Sequence, residues 1–234
     1  FVVERAEQVG ARIAFEGNDF GVVAREVAVG GQQVSLRGLA GDYPDLFLNL
    51  HGAHQAHNAA IALSAVEAFL GGGERRLNQE IVQEAFAEVT SPGRLEIVRR
   101  SPTVLVDAAH NPAGAQALAT ALAEEFAFVK LVGVLAILGD KDATAMLEAL
   151  EPVLEEVVIS RSTSPRAMDP AALGALAEEI FGEHRVYVVP DLPSALDRAA
   201  ELADDGGVGG GVIATGSVTT AADVRMLLGA RGSV

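Results

Sequence analysis

Asp107-Ala-Ala-His110-Asn111-Pro112 sets a carboxylate, an imidazole and an amide side by side, directly after the apolar run Val104–Val106. A carboxylate at the end of a strand can accept two ribose hydroxyls or orient a neighbour. An imidazole three residues later can donate to an anion or hold a substrate carboxylate. Asn111 followed by Pro112 also fits a helix start, with Asn as N-cap and Pro in the first position. Capping alone accounts for Asn111, whereas for Asp107 and His110 the chemical reading outweighs mere organisation of the turn.

Other residues could act with this group. Ser91-Pro92-Gly93-Arg94 offers an arginine in a tight turn, where a guanidinium can bridge phosphates or simply sit beside a linker. His51, His54 and His57 cluster in H-G-A-H-Q-A-H-N, with His54 and His57 on one helix face. They have no third ligand of matching kind, so no metal site is expected. Asn58, at the start of the same helix, could donate to a nucleotide base. The segments Gly139-Asp140-Lys141-Asp142, Ser160-Arg161-Ser162 and Thr215-Gly216-Ser217 each follow an apolar run. The glycine-rich stretch 204–211 precedes a strand and lacks a dinucleotide-binding setting; it reads as a surface loop. The two lysines, Lys130 and Lys141, lie outside any G-x-x-x-x-G-K-[ST] loop, so these 234 residues contain no P-loop.

Two kinds of architecture must position these residues. After Ser91-Pro92-Gly93 the pattern alternates strand and helix. Runs at 104–106, 131–137, 157–159, 186–189 and 212–214 are continuously apolar, as strands covered on both faces are. Helices begin at Asn111-Pro112 and Asp169-Pro170, with buried stripes at Leu118, Leu122 and Phe126 and at Leu173, Leu176, Ala177 and Ile180. The expected fold is α/β, a Rossmann-like parallel sheet over 92–234, with an edge strand near 94–98 turning at Ser101-Pro102. In such a sheet ligands bind beyond the carboxyl ends of the strands, where the polar segments above converge. Residues 1–91 read differently. Strands are expected at 12–15, 20–29, 32–39 and 45–50, with a hairpin at Gly30-Gly31, then helices over 54–70 and from Asn78 to about Val89.

Composition narrows the function. Half of the residues are apolar, enough for a sizeable core, and the net charge of −15 argues against non-specific nucleic-acid binding. The absence of cysteine excludes disulfides, thiol catalysis and thiolate zinc sites. No apolar run is long enough to span a bilayer, and a cytoplasmic protein is expected. The opening FVVERAEQVGAR reads like the end of a helix entering a strand, which suggests a piece of a longer chain.

HQAHN, SPGRLEIV, LVDAAHNP, GVLAILGDKD and IATGSVTTAADVR together resemble the C-terminal half of folylpolyglutamate synthase and dihydrofolate synthase, within the Mur ligase superfamily. The resemblance runs from about Leu48 to Leu228. It implies that residues 1–91 are the C-terminal part of an ATPase domain and 92–234 a Rossmann-like glutamate ligase C-terminal domain. It also implies ATP-dependent addition of L-glutamate to the γ-carboxylate of a folate through an acyl phosphate. By the same resemblance Asn58 lies on the adenine side of ATP, Arg94 reaches the phosphates, and Asp107 meets the ribose. His110 holds the incoming glutamate or the reaction centre, and Ser217 helps bind that glutamate. Lys141 and Asp142 lie in a family motif without an assigned role. ATP and magnesium are the implied cofactors, with the P-loop and magnesium ligands upstream of Phe1, so the 234 residues alone are expected to be inactive. The implied partners are folate, L-glutamate and ATP, with no nucleic acid, no membrane and a monomeric state. The alternatives are a non-catalytic α/β module for a small ligand and a Mur-type peptidoglycan ligase piece.

Overall fold

A computed structural model describes residues 1–205, 207 and 209–229. The chain divides into two compact units, Phe1–Thr90 and Ser91–Val234.

The first unit runs α1 (Val2–Val9), β1 (Gly21–Ala28), β2 (Gly31–Arg37), β3 (Asp42–Leu48), α2 (Ala53–Gly71) and α3 (Gln79–Glu88). The strands form an antiparallel sheet in the order β1-β2-β3. Ala28 pairs with Gly31, so the hairpin turns on Val29-Gly30, where Gly30 has φ 81°, and Gly31 already belongs to the strand. Val34, Leu36, Tyr43, Leu46 and Leu48 bury one sheet face with Ala56, Ala60 and Leu63 of α2. Asn78 caps α3 by accepting from the Glu80 and Ile81 amides. The strand expected at 12–15 does not form. Phe15 is half exposed and its amide donates to Asp19 Oδ2 at 2.7 Å, which closes a tight turn where a strand would need a partner. The last expected strand sits earlier, at Asp42–Leu48.

The second unit runs β4 (Glu96–Arg100), β5 (Thr103–Val106), α4 (Pro112–Glu125), β6 (Lys130–Leu135), α5 (Ala143–Leu150), β7 (Glu156–Ile159), α6 (Pro170–Phe181), β8 (Val186–Val188), α7 (Leu192–Asp205), β9 (Gly210–Thr215) and α8 (Val218–Leu227). Its sheet has the order β4-β5-β9-β6-β7-β8. The edge strand β4 is antiparallel to β5, and the other pairings are parallel. Along each strand alternate residues face opposite helical layers. Leu105, Leu135, Ile159 and Ile213 pack with α4, α5 and α6, while Val104, Val134, Val158 and Ala214 pack with α7 and α8. Both faces are covered, which is why the strands read as unbroken apolar runs. Asn111 and Asp169 cap α4 and α6 with Pro112 and Pro170 in the first positions. Leu118 and Leu122 are buried, and Leu173 and Ala177 likewise; Phe126, Leu176 and Ile180 are only partly so. Of the loop expected at 204–211, Gly206 and Val208 lie outside the described residues, and β9 already begins at Gly210.

Candidate functional site

The parallel strands β5, β6, β7 and β9 of the second unit end at Val106, Leu135, Ile159 and Thr215, and the segments that follow them form one rim. At β5 the chain enters Asp107, which is buried. Its Oδ1 accepts from the Ala109 amide at 2.7 Å and its Oδ2 from the Leu95 amide at 2.9 Å. The Ala108 amide donates to the Gly93 carbonyl at 2.8 Å. The Ser91–Glu96 turn is therefore fastened to the end of β5. Gly93 (φ 74°) and Leu95 (φ 45°) both adopt left-handed backbone, and the Arg94 amide closes the turn on the Ser91 carbonyl at 3.0 Å. A non-glycine residue in that region is costly and persists only where its surroundings hold it; here Leu95 is fully buried. Between these two residues the Arg94 side chain stands exposed, with no ion pair among the described residues.

His110 follows, half-buried, with Nδ1 at 3.0 Å from the Ala108 carbonyl. A carbonyl only accepts, so Nδ1 carries the hydrogen, and Nε2 is the ring nitrogen left for a ligand. Asn111 accepts from the Gly114 amide at 2.8 Å, the capping role read from sequence.

Ser217 behaves otherwise than a direct ligand. It is fully buried. Its Oγ accepts from the Thr220 amide at 3.0 Å as the N-cap of α8 and lies 2.7 Å from Thr220 Oγ1. That hydroxyl in turn donates to the Ala136 carbonyl at 2.8 Å. Ser217 thus fixes the start of α8 against the end of β6. Gly216, with φ 109°, lies so close to the Ala136 carbonyl oxygen that an added Cβ would come within 2.8 Å of it.

Behind β6, Asp142 caps α5 by accepting from the Ala145 amide at 3.1 Å. Lys141 and Arg166 both lie by Asp140, at 3.5 and 3.4 Å. Desolvation pushes the Asp140 carboxyl up, but its own backbone amide, Arg166 and Lys141 together pull it below the usual carboxylate range. Behind β7, Asp223 of α8 accepts from the Thr163 amide at 2.8 Å and from its hydroxyl at 2.9 Å. Two buried hydroxyls on this rim, Thr215 Oγ1 and Ser162 Oγ, have no hydrogen-bond partner among the described residues.

In the first unit Asn58 is exposed on α2 and donates to Gln55 Oε1 at 3.2 Å. His57 pairs with Glu16. No group of three His, Cys, Asp or Glu side chains among the described residues could hold a metal ion. No helix among the described residues is long and apolar enough to cross a membrane.

The rim thus brings Arg94, Asp107 and His110 together, while Ser217 serves it through the backbone of α8. It combines an exposed cation and a half-buried imidazole, a set suited to an anionic ligand. Sequence reasoning passed over Glu96, Asp223 and Arg225. Glu96 was visible in SPGRLE, but nothing in the sequence paired it with Arg225, 129 positions later.

Residues 93–218 match the family model of the Mur ligase glutamate ligase domain. The chain is 52% identical over 230 residues to the dihydrofolate synthase/folylpolyglutamate synthase of Mycobacterium tuberculosis, covering 94% of this chain and 47% of that protein. It superposes on M. tuberculosis folylpolyglutamate synthase complexed with ADP with a TM-score of 0.95 at 48% identity, over 100% of this chain and 52% of that one. Against E. coli FolC in complex with DHPP and ADP the TM-score is 0.79 at 25% identity, over 99% and 51%. The chain spans about half the length of the relatives it matches. Through this domain the chain belongs to the Mur ligase family, and it is similar over almost its whole length to folylpolyglutamate synthases.

Proposed function

We propose that this chain forms part of an ATP-dependent ligase that joins L-glutamate to the γ-carboxylate of a folate. The observation that carries the reading is Arg94, held exposed by a strained, fully fastened turn at the carboxyl rim of a parallel sheet. A free guanidinium at such a rim suits phosphate oxygens. The similarity to proteins solved with ADP points the same way.

In this reading the γ-phosphoryl group of ATP passes to the folate carboxylate, giving an acyl phosphate and ADP. The glutamate amine then attacks the acyl carbon, phosphate leaves, and the amine loses a proton. Arg94 offsets the charge on the transferring phosphoryl group, chiefly an effect of position and field. Asp107, at the end of β5 beside the Arg94 turn, takes the ribose, and Asn58 the adenine side. His110 Nε2 lies free of the Ala108 contact to meet the glutamate ammonium or its proton. Ser217 acts through α8. The described residues do not gather ligands for magnesium, so no step is assigned to a metal held by them. Residues 1–91 serve as the C-terminal part of an ATPase domain and 92–234 as the ligase domain, in a cytoplasmic monomer without nucleic-acid partners.

The test is glutamate addition by the full-length protein. Mass spectrometry should show a reduced folate gaining one glutamyl residue for each ADP released, only with ATP and L-glutamate present. ADP release that ignores both folate and glutamate would refute the reading.

A further inference from the structure

We infer that Glu96 and Arg225 are positioning residues for Arg94, through which helix α8 sets the place of the phosphate-facing guanidinium. The inference rests on the nucleotide reading above. Glu96 Oε2 accepts from the Gly93 amide and from Arg225 Nε, each at 2.7 Å. The Glu96 and Arg225 side chains are only 28% and 17% exposed, so solvent screens the pair weakly. One carboxylate oxygen therefore joins the residue before Arg94 to Arg225 of α8, 129 positions beyond Glu96.

Two left-handed residues flank Arg94, and each is fastened from a different element. Asp107 of the β5 end holds Leu95, and Glu96 with Arg225 of α8 holds Gly93. A Cβ placed on Gly93 would lie 3.5 Å from Ala221 Cβ, so α8 also packs directly against the turn. Along α8 the fastenings come in order. Thr220, held by Ser217, reaches Ala136 behind β6, Asp223 reaches Thr163 behind β7, and Arg225 reaches Glu96. The helix that carries the glutamate-side motif at its start thus grips the phosphate-side turn near its end. Through the Gly93 amide the Glu96–Arg225 pair fixes where Arg94 can stand.

A double-mutant cycle in the full-length protein tests this, using Glu96→Ala, Arg94→Ala and the double variant, with ADP formation and thermal melting measured on each. Glu96→Ala should lower kcat by about ten- to a hundredfold, the scale of a small misplacement of a catalytic group. Its KM for L-glutamate should stay near the wild-type value. In the Arg94→Ala background the same change should cost nothing more. Glu96→Gln, which keeps one acceptor oxygen, should recover part of the rate. Arg225→Ala should reproduce the kcat loss if Glu96→Ala folds poorly. Multiplicative losses, or a loss that only tracks a fall in Tm, would overturn the positioning role and leave the nucleotide reading standing. Full activity of Arg94→Ala would overturn the nucleotide reading itself, and the inference with it.

Discussion

Asp107 Oδ2 accepts the Leu95 amide at 2.9 Å, and through that bond the residue after Arg94 is anchored to the end of the first parallel strand. The other oxygen accepts from Ala109, so the side chain organises the two motifs SPGR and DAAHN as one surface. Asp107→Asn must turn an amide nitrogen toward one of two N–H groups. That loss should cost about 1–3 kcal/mol, the price of a buried unmatched donor, and urea unfolding of the second unit will read it. Asp107→Ala in the full-length protein should also lower glutamate addition by about a hundredfold, the scale of a lost preorganised contact. Wild-type stability in Asp107→Asn would show that these bonds do not hold the turn.

His110 should separate the two substrates. With Nδ1 committed to the Ala108 carbonyl, the ring can act only through Nε2. His110→Ala should raise KM for L-glutamate by about tenfold or more while changing KM for ATP little, a split expected for a contact to one substrate. Steady-state kinetics varying each substrate in turn will decide. Equal changes in both constants would remove His110 from the glutamate side.

Gly216 occupies a conformation and a space closed to other residues. Its φ of 109° and the Ala136 carbonyl oxygen 2.8 Å from a built Cβ leave no room for alanine. Gly216→Ala should destabilise the protein by about 1–3 kcal/mol, as strained backbone does, and displace the start of α8. Thermal melting checks the first effect. A variant that melts like the wild type would mean that α8 can shift without cost.

The first unit carries a pH signature of its own. Tyr43 is buried, its hydroxyl donates to Glu67 Oε1 at 2.6 Å, and it accepts from the Leu77 amide at 2.7 Å. Burial first, and then the Glu67 carboxylate, push its pKa from 10.0 up to about 12. The folded state therefore binds the phenolic proton more tightly than the unfolded chain. Its contribution is complete below pH 10.0 and is lost as pH rises toward about 12. Urea unfolding between these pH values should show stability falling in the wild type, with a smaller slope in Tyr43→Phe. Equal slopes would mean that Tyr43 does not titrate differently in the two states.

Much of this molecule can be read from local pattern. The parallel strands of the second unit announce themselves as unbroken apolar runs because helices cover both faces, and Asn111-Pro112 and Asp169-Pro170 mark helix starts through chemistry confined to neighbouring residues. The antiparallel edge strand turning at Ser101-Pro102 is legible for the same reason. Residues 12–15 are not, because Ile13 and Phe15 look apolar enough for a strand while Asp19 draws the backbone into a turn. At the site, residue type marked Arg94, Asp107 and His110, but not how they are held. Ser217 looked like a ligand because a serine after a strand has the right chemistry, yet its burial and its capping bonds are properties of the folded α8. The Glu96–Arg225 bond joins residues 129 apart, and no local signal carries such a pairing.

The central claim is that the guanidinium of Arg94 meets the phosphates of ATP. The most direct measurement compares single-turnover acyl-phosphate formation, followed as ADP, in the full-length wild-type protein and in Arg94→Ala and Arg94→Lys at saturating folate. The account predicts a loss of about a hundredfold or more in Arg94→Ala, with only partial recovery in Arg94→Lys because a point charge replaces a planar fork. Unchanged ADP formation in Arg94→Ala would contradict it.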